Sequence, residues 1–187
     1  MQPTKVRFAT FTTAAGFCGI AWNARGIVRF LLPVERAASA ERLLRRRLGE
    51  ALPAVPPPPV EAAVAAAQAY FAGVETDFTH CALDLGPLDP LMARIYAAVR
   101  KIGWGQTTTY GALAEAVGAG PQGAREVGQA MARNPVPLII PCHRVLAAGG
   151  RIGGFSAPGG AATKLRMLEL EGLRMTPEPS AQLAFGF

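Results

Sequence analysis

Cys142 and His143 stand side by side in Pro141-Cys142-His143-Arg144-Val145, a thiol next to an imidazole. A thiol attacks as its thiolate, which needs a neighbouring base, a cation or a helix amino terminus. His143 can supply the base. Adjacent residues of an extended segment point to opposite faces, so the two couple only through a turn after Pro141 or an intervening water. A third group, commonly a carboxylate, holds such an imidazole in place. Glu171, at the end of the last predicted helix, is the candidate. The plainer alternative is a buried, inert cysteine after an apolar run, because free cysteine is often a core residue. Zinc is a lesser alternative: Cys18, His80 and Cys81 form no C-x-x-C pair, and no cofactor is expected.

The elements that must position these residues fall into two textures. Residues 4–12 alternate and predict a strand; residues 16–22 and 26–32 predict two more, joined by the turn Asn23-Ala-Arg-Gly26. Residues 37–51 predict a helix whose Arg42-Leu-Leu-Arg-Arg-Arg47 reads as a solvated basic face over Leu43, Leu44 and Leu48. Five prolines between Pro53 and Pro59 break the chain, an Ala-rich helix follows over 60–72, and 78–85 predicts a last edge strand. This gives a three-stranded sheet plus helices over residues 1–86 and an α+β fold class.

Residues 87–174 read as mostly helical. Helices are predicted over 90–102, 110–117 and 123–133, the last two joined by a Gly-containing turn as in a helix-turn-helix. The run Leu138-Ile-Ile140 stops at Pro141. A glycine-rich loop spans 149–160, a final helix 161–171, and 175–187 predicts a loose tail.

Half of the 187 residues are hydrophobic, which excludes global disorder. No apolar run reaches the roughly 18 residues needed to span a bilayer, and no secretory signal is expected. Three scattered cysteines read as reduced thiols of a cytoplasmic protein. The formal charge is +6, and its place matters more than its size. Between Pro90 and Arg166 stand nine bases and two acids, so the whole surplus lies in the half that holds Cys142. A polyanionic partner would dock there.

Ile140-Pro-Cys-His-Arg-Val145 resembles the active-site signature of the O6-alkylguanine-DNA alkyltransferase family, the methylated-DNA–protein-cysteine methyltransferases. Thr109-Tyr-Gly-Ala-Leu-Ala114 resembles the family's tyrosine-bearing helix, and 124–135 its recognition helix and asparagine turn. Gly153-Gly-Phe-Ser-Ala157 and the helix ending Leu170-Glu-Gly172 are similar to its substrate loop and closing helix. The resemblance implies a ribonuclease-H-like amino-terminal unit and a winged-helix-like carboxy-terminal unit. It implies irreversible transfer of an alkyl group from O6 of guanine, and from O4 of thymine, to Cys142 after base flipping.

On that resemblance His143 is the base acting through water, and Glu171 orients it. Tyr110 reaches the flipped base, and Asn134 ties the recognition helix to the active-site segment. Arg125 fills the base stack; Ala124, Gly128 and Arg133 lie on the DNA-binding helix. Val145, Phe155 and Ser156 contact the substrate. The implied partner is double-stranded DNA with alkylated guanine, met through the minor groove by a monomer, with no membrane. Phe155 stands where many members have tyrosine. Two other readings stay open: a non-enzymatic binder of alkylated bases on the same scaffold, and an unrelated Cys-His thiol hydrolase.

Overall fold

The computed structural model describes residues 5–175 as a mixed α+β fold; of the expected tail at 175–187, all but residue 175 lies outside the described residues. Strands β1 (Arg7–Thr13), β2 (Gly16–Asn23) and β3 (Gly26–Val34) form an antiparallel meander. The second turn is set by Asn23, whose Oδ1 accepts from the Arg25 and Gly26 amides at 2.8 and 3.2 Å. Gly26 has φ +153°, and a Cβ there would lie 2.6 Å from the Ala82 carbonyl oxygen, so glycine is required.

Helix α1 (Ala37–Leu48) buries Ala40 and Leu44 against the sheet and leaves Arg42 and Arg45–Arg47 exposed, as its pattern predicts. The chain then adds a strand that the sequence reading lacks. β4 (Leu52–Pro53) runs parallel to β1, making a four-stranded sheet of order β3-β2-β1-β4 instead of the expected three. Its ties to β1 are the Leu52 amide to the Val6 carbonyl and the Ala54 amide to the Phe8 carbonyl. Pro53 is tolerated because an edge strand needs no donor on its outer side. Helix α2 (Pro58–Phe71) opens on two prolines, earlier than the breaker reading allows, since the first helical turn has no use for those amide protons.

The edge strand expected over 78–85 does not form. A lone bridge, Ile27 with Leu83, touches the free side of β3. The Asp77 carboxylate turns the chain by accepting from the Thr79 amide, and Arg100 Nη2 donates to the carbonyls of Phe78, Thr79 and Cys81. Carbonyls held by a guanidinium do not join a ladder.

Helix α3 (Pro90–Val99) is capped by Asp89, which accepts from the Leu91 and Met92 amides, and it ends three residues before the expected Ile102. Strand β5 (Thr108–Thr109) leads into α4 (Tyr110–Ala116), capped by Thr109. Helix α5 (Gly123–Arg133) crosses α4 closely at Gly123, where a Cβ would lie 2.7 Å from that of Ala114. Strand β6 (Val145–Leu146) pairs in parallel with β5, and α6 (Gly160–Leu170) closes the described chain. The apolar run at 138–140 is not a strand. Leu138 takes φ +79° and the Ile140 amide turns back to the Val136 carbonyl. One core runs through both halves, from Ile20 and Phe30 past Tyr70 and Ile95 to Ile140 and Met167. Among the described residues no helix is long and apolar enough to cross a membrane.

Candidate active site

Pro141 turns the chain into a one-turn 3-10 helix, Cys142–Arg144, in which the Cys142 amide donates to the Ile140 carbonyl and the Arg144 amide to that of Pro141. All three side chains are buried, His143 completely. Among the described residues no hydrogen bond joins the Cys142 thiol to the His143 ring. The turn points the imidazole at Glu171 instead, with Nε2 2.7 Å from Oε1.

Glu171 is nearly inaccessible and gathers five donors: His143 Nε2, the Tyr70 hydroxyl, Arg144 Nε and Nη2, and the Gly105 amide. Burial alone would raise its pKa, but the hydrogen bonds and charges of His143 and Arg144 outweigh burial and hold it at about 2. An ionised carboxylate only accepts, so the hydrogen-bond network assigns the proton of neutral His143 to Nε2. Nδ1 then carries the lone pair; it is buried and has no protein partner. Burial pushes the His143 pKa down despite Glu171, which keeps the imidazole neutral and able to take a proton. Burial also pushes the Cys142 thiol up to about 11, against the pull of Asn134 and Lys164. The resting group is a protonated thiol beside a poised base.

Asn134 sits at the end of α5. Its Nδ2 donates to the Ile140 carbonyl and its Oδ1 accepts from the Val136 amide, so it braces the bend before Cys142. Tyr110 opens α4 and lines a cavity of about 340 Å³ together with Gly128, Cys142, Phe155 and Ser156. Burial, then the Cys142 charge, raise the Tyr110 pKa. Ser156 Oγ donates to the Ala132 carbonyl, fixing the loop against α5. Val145 is fully buried and does not line this cavity; its carbonyl is held by Lys164 Nζ. Ala124, Arg125 and Arg133 are exposed on α5, whose other face packs Val127, Ala130 and Met131 into the core. Arg125 and Arg133 therefore lie on the outer face and do not line this cavity. Cys18 and Cys81 are buried elsewhere in the core, and among the described residues no group of His, Cys, Asp or Glu could hold a metal ion.

Sequence reasoning missed Tyr70, Arg144, Gly105 and Lys164. Tyr70 comes from α2, about 100 residues before Glu171, and no local pattern announces it. Lys164 had a readable signal. With Met167, Leu168 and Glu171 it makes an i, i+3, i+4, i+7 stripe, the buried face of α6. Its ammonium lies 5.7 Å above the Tyr110 ring, and burial lowers its pKa to about 8.

A family model described as the DNA binding domain of 6-O-methylguanine DNA methyltransferase matches residues 90–173. The chain is 46% identical over 103 residues to the methylated-DNA–protein-cysteine methyltransferase of Metallosphaera sedula, covering 55% of this chain and 62% of that one. It is 44% identical over 107 residues to the DNA base-flipping protein of Thermus thermophilus, covering 57% and 69%. The alignment thus spans under two thirds of the Metallosphaera relative's own length. The fold matches a crystal structure of Mycobacterium tuberculosis OGT in complex with DNA, with a TM-score of 0.71, 31% identity, and coverage of 88% of this chain and 92% of that chain. With the fold matched over both halves and the signature Pro141-Cys142-His143-Arg144 at the buried site, the chain belongs to the methylated-DNA–protein-cysteine methyltransferase family.

Proposed function

We propose that this protein repairs alkylated DNA by direct reversal, in a single turnover. The observation that carries the reading is the placement of Cys142 on a cavity walled by α4 and α5, backed by His143 and the five-donor Glu171. A flipped guanine enters that cavity, and Cys142 Sγ attacks the alkyl carbon on O6. The S–C bond forms as the C–O6 bond breaks, and guanine leaves with the electron pair. The thiol proton passes through a bridging water to His143 Nδ1, and Glu171 stabilises the imidazolium. The Tyr110 hydroxyl donates to the departing base and lowers the cost of its negative charge. The thioether product is not reversed, so each chain acts once. O4-alkylthymine fits the same chemistry.

The partner is double-stranded DNA carrying an alkylated guanine, bound through the minor groove by a monomer. The small residues Ala124, Gly128 and Ala132 let α5 approach closely, Arg133 faces the backbone, and Arg125 fills the gap left by the flipped base. The meander with its flanking helices supports a ribonuclease-H-like unit over 1–86. The α4–α5 pair beside β5 and β6 supports a winged-helix-like unit over 87–174. We place the protein in the cytoplasm, where its three free thiols stay reduced.

The Thermus thermophilus relative is named a DNA base-flipping protein, and a second reading is flipping and binding of alkylated bases with no transfer. One experiment separates the two. The protein is incubated with duplex DNA bearing labelled O6-methylguanine and then digested. Label on the peptide holding Cys142, lost in Cys142→Ala, is the expected result. Tight binding with no transferred label supports the binder, and label surviving in Cys142→Ala overturns the assignment.

A further inference from the structure

Cys142 also lines a second, larger cavity of about 550 Å³, which runs from the thiol toward the amino-terminal sheet. Its far wall is β3 and α1, and its near wall is the end of α5 with the loop at Phe155–Pro158. The two walls are tied together, since the Phe30 amide donates to the Pro135 carbonyl at 3.0 Å. The charged residues lining it are Arg29, Arg47 and Arg133, with no acid among them. Among the described residues none of the three forms an ion pair. Arg29 Nε is buried and finds no acceptor. Burial, then the nearby Arg47 charge, push the Arg29 pKa down, so the two guanidiniums feel each other. Two neighbouring cations and a buried donor with no protein acceptor suit an anion bound between them.

The geometry of the transfer says where such an anion comes from. In-line attack aligns sulfur, carbon and O6, and the other substituents of the carbon project sideways from that axis. Hydrogens need little room; a longer chain needs a channel beside the sulfur. The smaller cavity is taken by the base, and the larger one opens beside it from the same cysteine. We propose that this cleft is an adduct subsite for O6-alkyl groups ending in an oxyanion, a carboxylate above all, which Arg29 and Arg47 pair during transfer. The proposal rests on the alkyl-transfer reading above. A backbone phosphate of the DNA offers the same oxyanion chemistry and is the rival occupant.

Single-turnover transfer by the full chain decides the matter, with duplexes bearing O6-methylguanine, O6-(ω-carboxyalkyl)guanines of increasing chain length, and their neutral carboxamide counterparts. At one or more lengths the acid is expected to transfer about tenfold or more faster than the amide, the size of one charge-assisted hydrogen bond. Arg29→Gln and Arg47→Gln bring that ratio to within about twofold of unity and leave O6-methyl transfer unchanged. Arg47 is exposed, so its variant tests the proposal even where Arg29→Gln does not fold. Equal rates for acid and amide at every length overturn the subsite. So does an Arg47→Gln variant that binds all duplexes equally less well with a shallower salt dependence, which assigns the arginines to a backbone phosphate. Failure of O6-methyl transfer by the unaltered protein sinks the transfer reading as well, and is distinguishable from both.

Discussion

Replacing Glu171 by glutamine tests the site at its most connected atom pair. The change keeps size and removes one buried charge. Arg144 then keeps its bond to the Ile102 carbonyl but loses its counter-ion while nearly inaccessible. Breaking a buried pair from one side costs about 3–5 kcal/mol. At about 2–4 °C per kcal/mol for a chain of this size, melting falls by roughly 6–20 °C. The kinetic effect is separate. In the proposed transfer His143 becomes a cation as Cys142 loses its proton, and Glu171 lies 2.7 Å from it. Opposite charges with centres about 4 Å apart are worth on the order of 4 kcal/mol at an effective dielectric constant of about 20. The charge is only partly developed in the transition state, so transfer slows by roughly 10²–10³-fold. The assay is single-turnover transfer at a temperature where circular dichroism shows the variant folded. There is also a pH signature. The Glu171 pKa falls from its ordinary value of 4.5 to about 2 on folding, so its stabilisation is complete above about 4.5 and is lost as pH falls through 2. The parent protein therefore loses stability across that window, and Glu171→Gln lacks that part of the slope. A folded variant that transfers within threefold of the parent rate refutes the role given to the carboxylate.

Two glycines in the same unit give opposite outcomes. A Cβ at Gly128 meets nothing within 4 Å, so Gly128→Leu is expected to melt no lower than the parent while its side chain fills the base cavity and slows transfer at least about tenfold; unchanged transfer removes that cavity from the mechanism. At Gly123 a Cβ would lie 2.7 and 2.8 Å from the Cβ atoms of Ala114 and Ala119, so Gly123→Ala is expected to cost about 1–3 kcal/mol by prying α4 from α5, read as a lower melting temperature; a neutral result contradicts the tight crossing.

The parts of this fold that were legible in the sequence are those whose period is repeated. β1 to β3 alternate over seven to nine residues, and Asn23 with Gly26 marks the turn. α5 shows its buried face through Val127, Ala130 and Met131. β4, β5 and β6 are two residues each, too short to carry a period, and exist because longer elements bring their backbones together. The segment 78–85 carried the opposite fault: its composition suits a strand, but Arg100, twenty residues on, claims its carbonyls. In the site, the proximity of thiol and imidazole and the helix-terminal carboxylate could be read from residue types. The orphaned His143 Nδ1 and the hydroxyl of Tyr70 could not, because both depend on which elements pack together.

That packing bears on why the nucleophile is tolerated at all. The Cys142 thiol pKa is pushed up to about 11, and the neighbouring His143 has its Nδ1 buried without a protein partner. A thiolate stabilised outright would be consumed by any small electrophile, and a protein that acts once, as proposed here, could not recover from that loss. Burial raises the thiol pKa, and under the proposed transfer the proton would leave only when a bound base completes the path to His143 and Glu171. Glu171 in turn is held by Tyr70 from the amino-terminal half. Under the proposed transfer, the half that carries no nucleophile would thus enter the chemistry by fixing the carboxylate, through the core that runs from Ile20 to Met167.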